Sequence, residues 1–181
     1  NQVENRVIAS ARGSLLAAKE YLESKGIPAV ILSDAITGEA RDVAKVLAAL
    51  AKEVRLHEQP WKPPVALISG GETTVTVGKD GRGDGRGGRN AEFLLSLAIE
   101  LNGMEGIYAL ACDTDGIDGT EDNAGAIITP DSLRRAKRQG INASALLAGN
   151  DTYTFFELLD DLIVTGPTRT NVNDYRAILI F

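Results

Sequence analysis

Apolar residues recur along this chain in two rhythms, and the alternation between them predicts its elements. Over residues 39–56, Val43, Leu47, Leu50 and Val54 are spaced by three or four, which marks one buried face of a helix. Residues 14–25 carry the same spacing in Leu15, Ala18 and Leu22, with Gly26 as a stop, and residues 89–101 carry it in Phe93, Leu94, Leu97 and Leu101. Between these helices stand uninterrupted apolar runs: Ala29-Val30-Ile31-Leu32, Val65-Ala66-Leu67-Ile68, and the stretches 107–112, 124–129, 162–165 and 177–181. Such runs fit strands covered on both faces. Val7-Ile8-Ala9 reads as a further short strand, so residues 1–64 form a βαβ segment ending in the proline-rich connector 59–64, with Trp61 as a packing anchor. Thr73 to Val77 alternates threonine with valine, the pattern of a half-exposed strand or hairpin arm. Pro130 opens a helix that Gly140 closes, and short helices follow over 142–148 and 152–159. The expected class is α/β, with a mostly parallel or mixed sheet flanked by helices. One domain over residues 1–181 is expected, and a small lobe over 73–128 is the one subdivision the pattern allows.

Composition narrows the function classes. A hydrophobic share of 44% and a charged share of 24% over 181 residues are those of a globular domain with a single substantial core. No apolar run approaches the roughly 20 residues needed to cross a bilayer, so no membrane partner is expected. The net charge of −6 lacks the positive footprint of a nucleic-acid binder. The basic cluster Arg134, Arg135, Lys137 and Arg138 reads as a solvated helix face. Cys112 is the only cysteine, so no intrachain disulfide is possible and a cytoplasmic location is expected. His57, alone at a helix end, reads as a surface histidine. The chain does not begin with methionine, from which a processed or excised piece of a longer protein is expected.

Candidate chemistry lies in four polar, glycine-rich segments. They are Ser69-Gly70-Gly71-Glu72-Thr73-Thr74, Gly87-Gly88-Arg89-Asn90-Ala91-Glu92, Asp113-Thr114-Asp115-Gly116-Ile117-Asp118-Gly119, and Thr165-Gly166-Pro167-Thr168-Arg169-Thr170-Asn171-Val172. Ligands of open α/β sheets bind beyond the carboxyl ends of strands, so these segments are expected to converge on one rim. Glycine there lets backbone approach a ligand closely, and free N–H groups suit an anion. Arg89 begins a helix, where the dipole also favours an anion, and its planar guanidinium grips carboxylate or phosphate in two places; pairing with Glu92 or Glu72 is the competing role. Asp113, Asp115 and Asp118 are candidate metal ligands, magnesium rather than calcium because the calcium-loop glutamate is missing; loop capping is their competing role. The loop 78–88, with six glycines in eleven residues, does not make a Walker phosphate loop and reads as mobile.

Taken together these segments, with Ala124-Gly125-Ala126, closely resemble the type-2 glycerate kinases, some formerly named hydroxypyruvate reductases. Residues 65–181 resemble that family's C-terminal MOFRL region, and residues 5–57 the βαβ segment before it. The resemblance implies ATP-dependent, magnesium-assisted phosphorylation of D-glycerate at its 2-hydroxyl. It also implies an N-terminal Rossmann-like domain, absent here, which carries an important lysine and closes a cleft over the rim. The chain alone is then expected to be inactive. By the same resemblance Arg89 orients the substrate carboxylate or transferring phosphate, with Asp115 as the favoured candidate for general base. Ser69, Gly70, Gly71, Glu72, Gly87, Gly88, Asn90, Glu92, Gly116, Gly166, Thr168 and Asn171 are the expected binding residues. Two departures from the family pattern are the lengthened loop before Gly87 and Ala91 where glutamine is commoner. The alternatives are an NAD(P)H-dependent hydroxypyruvate reductase, although the turn after Ser10 lacks a dinucleotide fingerprint, and a non-catalytic ligand-binding module.

Overall fold

The computed structural model describes residues 9–77 and 85–181. The expected first strand at Val7-Ile8 and most of the glycine-rich loop lie outside these residues. Ser10 caps the first helix by accepting from the Gly13 N–H at 3.1 Å, and α1 runs over Ala11–Ser24. There follow β1 (Ala29–Glu39), α2 (Ala40–His57), β2 (Val65–Thr74), α3 (Arg89–Leu101), β3 (Ile107–Asp113) and β4 (Gly125–Ile128). The chain ends with α4 (Ser132–Arg138), α5 (Ala143–Ala148), α6 (Thr152–Leu159), β5 (Leu162–Ile163) and β6 (Asp174–Ile180).

All six strands join one mixed sheet in the order β1-β2-β6-β3-β4-β5. Of these pairs β1–β2 is parallel, as the intervening helix α2 requires, and the others are antiparallel. The mostly parallel option is therefore set aside in favour of the mixed one. Because β3 and β4 belong to the same sheet as β1 and β2, the described residues of 73–128 do not form a separate lobe. Nor is there a hairpin arm at Thr73: β2 continues through Thr74 beside β1.

The insertion of β6 between β2 and β3 places its first residue, Asp174, opposite Asp113 at the carboxyl end of β3. The carboxyl ends of β2 and β3, the amino end of β6 and the first turn of α3 therefore meet at one rim. Helices α2 and α3 cover one face, where Leu47, Val54, Leu67, Phe93, Leu97 and Ile178 are among the core residues. Helix α3 is buried nearly all round, Leu95 and Ala98 as well as the expected residues. It lies as a central layer between the sheet and the other helices, and an all-round apolar helix is the consequence. Trp61 packs on the edge of this core. Helix α1 covers the second face over β1 and β2, while Tyr108 and Ile127 farther along that face remain exposed. No helix among the described residues is long and apolar enough to cross a membrane.

Candidate functional site

The rim is built around the side chain of Arg89, the first residue of α3. Its Nε donates to both oxygens of Asp174, at 2.9 and 3.1 Å. One terminal nitrogen donates to Asp113 Oδ2 at 2.7 Å and the other to Glu72 Oε1 at 3.0 Å. Desolvation works against the guanidinium's charge, but the hydrogen bond and charge of Asp174, then Asp113 and Glu72, outweigh it and hold its pKa above the ordinary arginine value. Asp113 is itself pushed upward, because burial exceeds the help from the Asp115 N–H and Arg89. The three carboxylates differ in exposure: Asp174 and Asp113 are buried, whereas the Glu72 side chain is 57% exposed.

Local backbone explains how Glu72 reaches Arg89. Gly71, at φ 106°, sits in β2 so close to β1 that a side chain there would run into the backbone of Ile36. The strand pair shifts register between Ile31 and Ile36, and Glu72 emerges at the rim. Ser69 is buried beneath it and Gly70 presents its carbonyl to a buried arginine, Arg176, at 3.2 Å. The segment predicted to be a loop after the strand is thus the strand's own end.

The amino end of α3 holds an anion, and the anion is Asp118. Its carboxylate accepts from the Asn90 N–H at 3.0 Å, the Ala91 N–H at 2.8 Å and the Asn90 side chain at 3.2 Å. Gly88, the N-cap, has no room for a side chain because Asp118 occupies it. Burial pushes the Asp118 carboxyl up to about 6 against the pull of those donors. Asp118 therefore sits where a phosphate was expected, with both oxygens engaged in capping, and leaves the group of three expected to bind metal. Asn90 is likewise turned inward, to Asp118 and Asp174.

Asp115 lies at the turn beyond β3. Its carboxylate accepts from the Ile117 N–H at 2.9 Å and from Asn171 Nδ2 at 3.3 Å, and its carbonyl accepts from the Thr168 N–H at 2.9 Å. Gly116, at φ 96°, abuts the carbonyl of Gly166. The third and fourth segments are thus knitted into one ledge carrying Asp115, Gly116, Gly166, Thr168 and Asn171. Among the described residues no group of three or more His, Cys, Asp or Glu is placed to hold a metal ion.

A cavity of about 580 Å³ opens beside Arg89, lined among others by Glu72, Gly87, Gly88, Glu92 and Asn150. Glu92 is buried, held by Arg41 of α2 and by Asn150 Nδ2 at 3.2 Å. Burial raises its carboxyl pKa while Arg41 lowers it, and the net direction is upward. Asn150 also lines the cavity. The ledge residues around Asp115 do not.

Sequence reasoning missed Asp174, Arg176, Arg41 and Arg86. The first two had a signal: Asp174 and Arg176 alternate in a strand otherwise apolar, which puts both on one buried face. Arg86 had none. Its guanidinium lies 4.1 Å from the Tyr153 ring centre and pairs with Glu121 at 2.8 Å, while its backbone bonds to Asp151 and Tyr153. Residues 85–88, expected to be mobile, are thereby fastened to the start of α6. His57 is exposed, as expected. Burial raises Cys112 to about 11, which leaves it an unreactive thiol at neutral pH.

A family model, described as the MOFRL family, matches residues 65–174. The chain belongs to the MOFRL family. All four glycine-rich segments of this MOFRL chain fall inside the matched range, which also reaches Asp174; Arg176 lies just beyond it. A protein of Agrobacterium vitis named "Putative hydroxypyruvate reductase" is 54% identical over 97% of the chain and 45% of its own length. The D-glycerate 2-kinase of Thermotoga maritima is 39% identical over 96% of the chain and 41% of its own length. A crystal structure of glycerate kinase from Thermotoga maritima superposes with a TM-score of 0.94, covering 100% of this chain and 43% of that one. The MOFRL chain thus spans less than half the length of these relatives.

Proposed function

We propose that this chain is the C-terminal domain of an ATP-dependent glycerate 2-kinase that phosphorylates D-glycerate at its 2-hydroxyl. The observation that carries the reading is Arg89 at the mouth of the cavity, one terminal nitrogen resting on the exposed carboxylate of Glu72. An incoming carboxylate or phosphate has the geometry to take the place of Glu72 on that nitrogen, while Asp174 and Asp113 keep the rest of the guanidinium still. Phosphoryl transfer is chiefly alignment and charge neutralisation, and both are offered here. The glycerate kinase names of the Thermotoga relative and of the superposed structure favour the same reading.

Within it, Arg89 grips the substrate carboxylate or the transferring phosphate. Gly87, Gly88, Glu92 and Asn150 line the cavity around the ligand. Asp115, on the ledge outside the lining of this cavity, is the carboxylate proposed to position the attacking hydroxyl of a substrate that reaches from Arg89 to the ledge. Magnesium needs only one or two protein carboxylates when phosphate oxygens complete its shell, and it would supply charge neutralisation at those oxygens. Of the expected ligands Asp118 does not fit, and Asp113 is committed to Arg89 and the Asp115 N–H. Asp115 is the best-suited residue, with Glu72 once it is released. An N-terminal Rossmann-like domain of the same protein is proposed to close the cleft, so that this chain alone folds without turning over. The setting proposed is cytoplasmic.

The test is to incubate the full-length protein and this chain separately with ATP, magnesium and D-glycerate, and to identify the product by phosphorus NMR. The expected result is 2-phosphoglycerate from the full-length protein and none from the chain alone. Oxidation of NADH or NADPH by hydroxypyruvate with no consumption of ATP would establish the reductase reading instead, the one that the name of the Agrobacterium relative carries. Binding of glycerate or ATP by the full-length protein with no reaction would establish a ligand-binding module.

A further inference from the structure

We propose that Asp174 and Arg176 are positioning residues, which fix the orientation of the Arg89 guanidinium from inside the sheet. The inference rests on Arg89 being the group that grips the substrate or phosphate. Arg89 opens α3, so the helix gives its long side chain no preceding turn to lean on. What holds it is Asp174, whose two oxygens lie 2.9 and 3.1 Å from Nε. That grip fixes the plane of the guanidinium and leaves the terminal nitrogen on Glu72 as the group that exchanges partners.

Asp174 is held in turn. Its side chain is wholly buried, Asn90 Nδ2 donates to Oδ1 at 3.0 Å, and a terminal nitrogen of Arg176 donates to Oδ2 at 2.6 Å. Arg176 then reaches β2, donating to the Gly70 carbonyl at 3.2 Å and to Thr73 Oγ1 at 3.1 Å. Its guanidinium also lies 5.4 Å from the centre of the Phe93 ring, on the helix that Arg89 begins. A continuous path thus runs from the end of β2, through Arg176 and Asp174, to Arg89. It sets the strand end that presents Glu72 and the arginine that Glu72 touches in one fixed relation.

Stability alone is a poor reason for this pair. A buried ion pair often contributes little against well-packed apolar residues, because desolvation offsets its attraction. Here Arg176 even leaves Nε without a hydrogen-bond partner, and desolvation lowers its pKa despite Asp174. The pair stands in a strand whose next four residues are Ala177-Ile178-Leu179-Ile180, where apolar side chains would pack at lower cost. Orientation of Arg89 is the property that apolar replacements cannot provide.

The test is a double-mutant cycle on the full-length protein, reading kcat/KM for D-glycerate and melting temperature for wild type, Asp174→Asn, Arg89→Ala and the double variant. Misplacing a substrate-gripping group by about 1 Å costs about a hundredfold. Asp174→Asn is therefore expected to lose about that factor, and no more than Arg89→Ala loses. Once Arg89 is gone, adding Asp174→Asn is expected to change kcat/KM by less than about twofold, because coupled residues are non-additive. The same factor lost with and without Arg89 would overturn the proposal, as would kcat/KM within about twofold of wild type with only a lower melting temperature. Should Asp174→Asn fail to fold, Arg176→Lys keeps the buried charge but loses the fork to β2, and enters the same cycle with the same two outcomes. If wild type shows no glycerate-dependent use of ATP, the functional reading fails first and this inference with it; additive losses in an active kinase overturn this inference alone.

Discussion

Three carboxylates gathered round one guanidinium repel one another, and the rim tolerates them because each is also held by something else. Asp174 leans on Arg176 and Asn90, Asp113 on the Asp115 N–H, and Glu72 on solvent. The exposed one is the exchangeable one, which gives the site a direction of entry. Asp118 shows the other use of a buried carboxylate, as the cap that α3 takes in place of an external anion. An ordinary aspartate in the unfolded chain loses its proton near 3.8, whereas Asp118 in the fold does so near 6. Between those values the folded state binds the extra proton, so stability from this site is greatest below pH 4 and falls as pH rises through 4 to 6. The melting temperature of wild type minus that of Asp118→Asn is expected to fall across that window and level off above it; a flat or rising difference would contradict this origin. In the sequence, Asp118 is indistinguishable from a metal ligand, since both readings need a carboxylate in a glycine-rich turn. Only the placement of that turn over the first turn of α3 separates them. What was legible of Arg89 is its place at a helix start after two glycines and the competing reading, its pairing with Glu72.

At the scale of elements, the helices were read to within a few residues because three-and-four spacing is a redundant signal. Residues 39–56 were expected for α2, and Ala40–His57 is found. Strand ends were less legible. β1 runs on through Ser33-Asp34 to Glu39, and β2 through Gly70-Gly71 to Thr74, because pairing between them persists after the apolar runs end. Polar and glycine residues at a strand end read as loop when the partner strand is unknown. For the same reason β6 was expected to begin at Ala177, which left Asp174 and Arg176 outside it. Gly71 makes this extension possible. Gly71→Ala would combine a left-handed φ with a collision against the Ile36 backbone, and a forced backbone shift of that kind costs about 1–3 kcal/mol. Urea unfolding is expected to show that loss of stability as a lower midpoint with the slope unchanged. An unchanged midpoint would mean that β1 moves aside freely, and that Glu72 is not placed by this contact.

For the molecule as a whole, the sheet order explains why one rim gathers segments far apart in sequence. β6 returns between β2 and β3, so Glu72, Asp113 and Asp174 come to neighbouring strands, and α3 delivers Arg89 above them. The sequence predicted convergence at strand carboxyl ends, and the convergence is found, although the order that brings it about was not readable from local patterns. The cavity beside Arg89 is open, and the chain spans less than half the length of its kinase relatives. A second domain of the same protein is proposed to complete the site. The claim on which the rest depends is that Arg89 stabilises the transferring charge. It is tested most directly by comparing kcat/KM for D-glycerate, at saturating ATP and magnesium, in full-length wild type and Arg89→Ala. A loss of about 10²–10³-fold is expected, the cost of removing one preorganised donor to a developing charge; the melting temperature is expected to fall as well, because the buried Asp113 and Asp174 lose their shared cation. Turnover within about twofold of wild type in a folded Arg89→Ala protein would contradict the role assigned to the arginine and move the active site elsewhere.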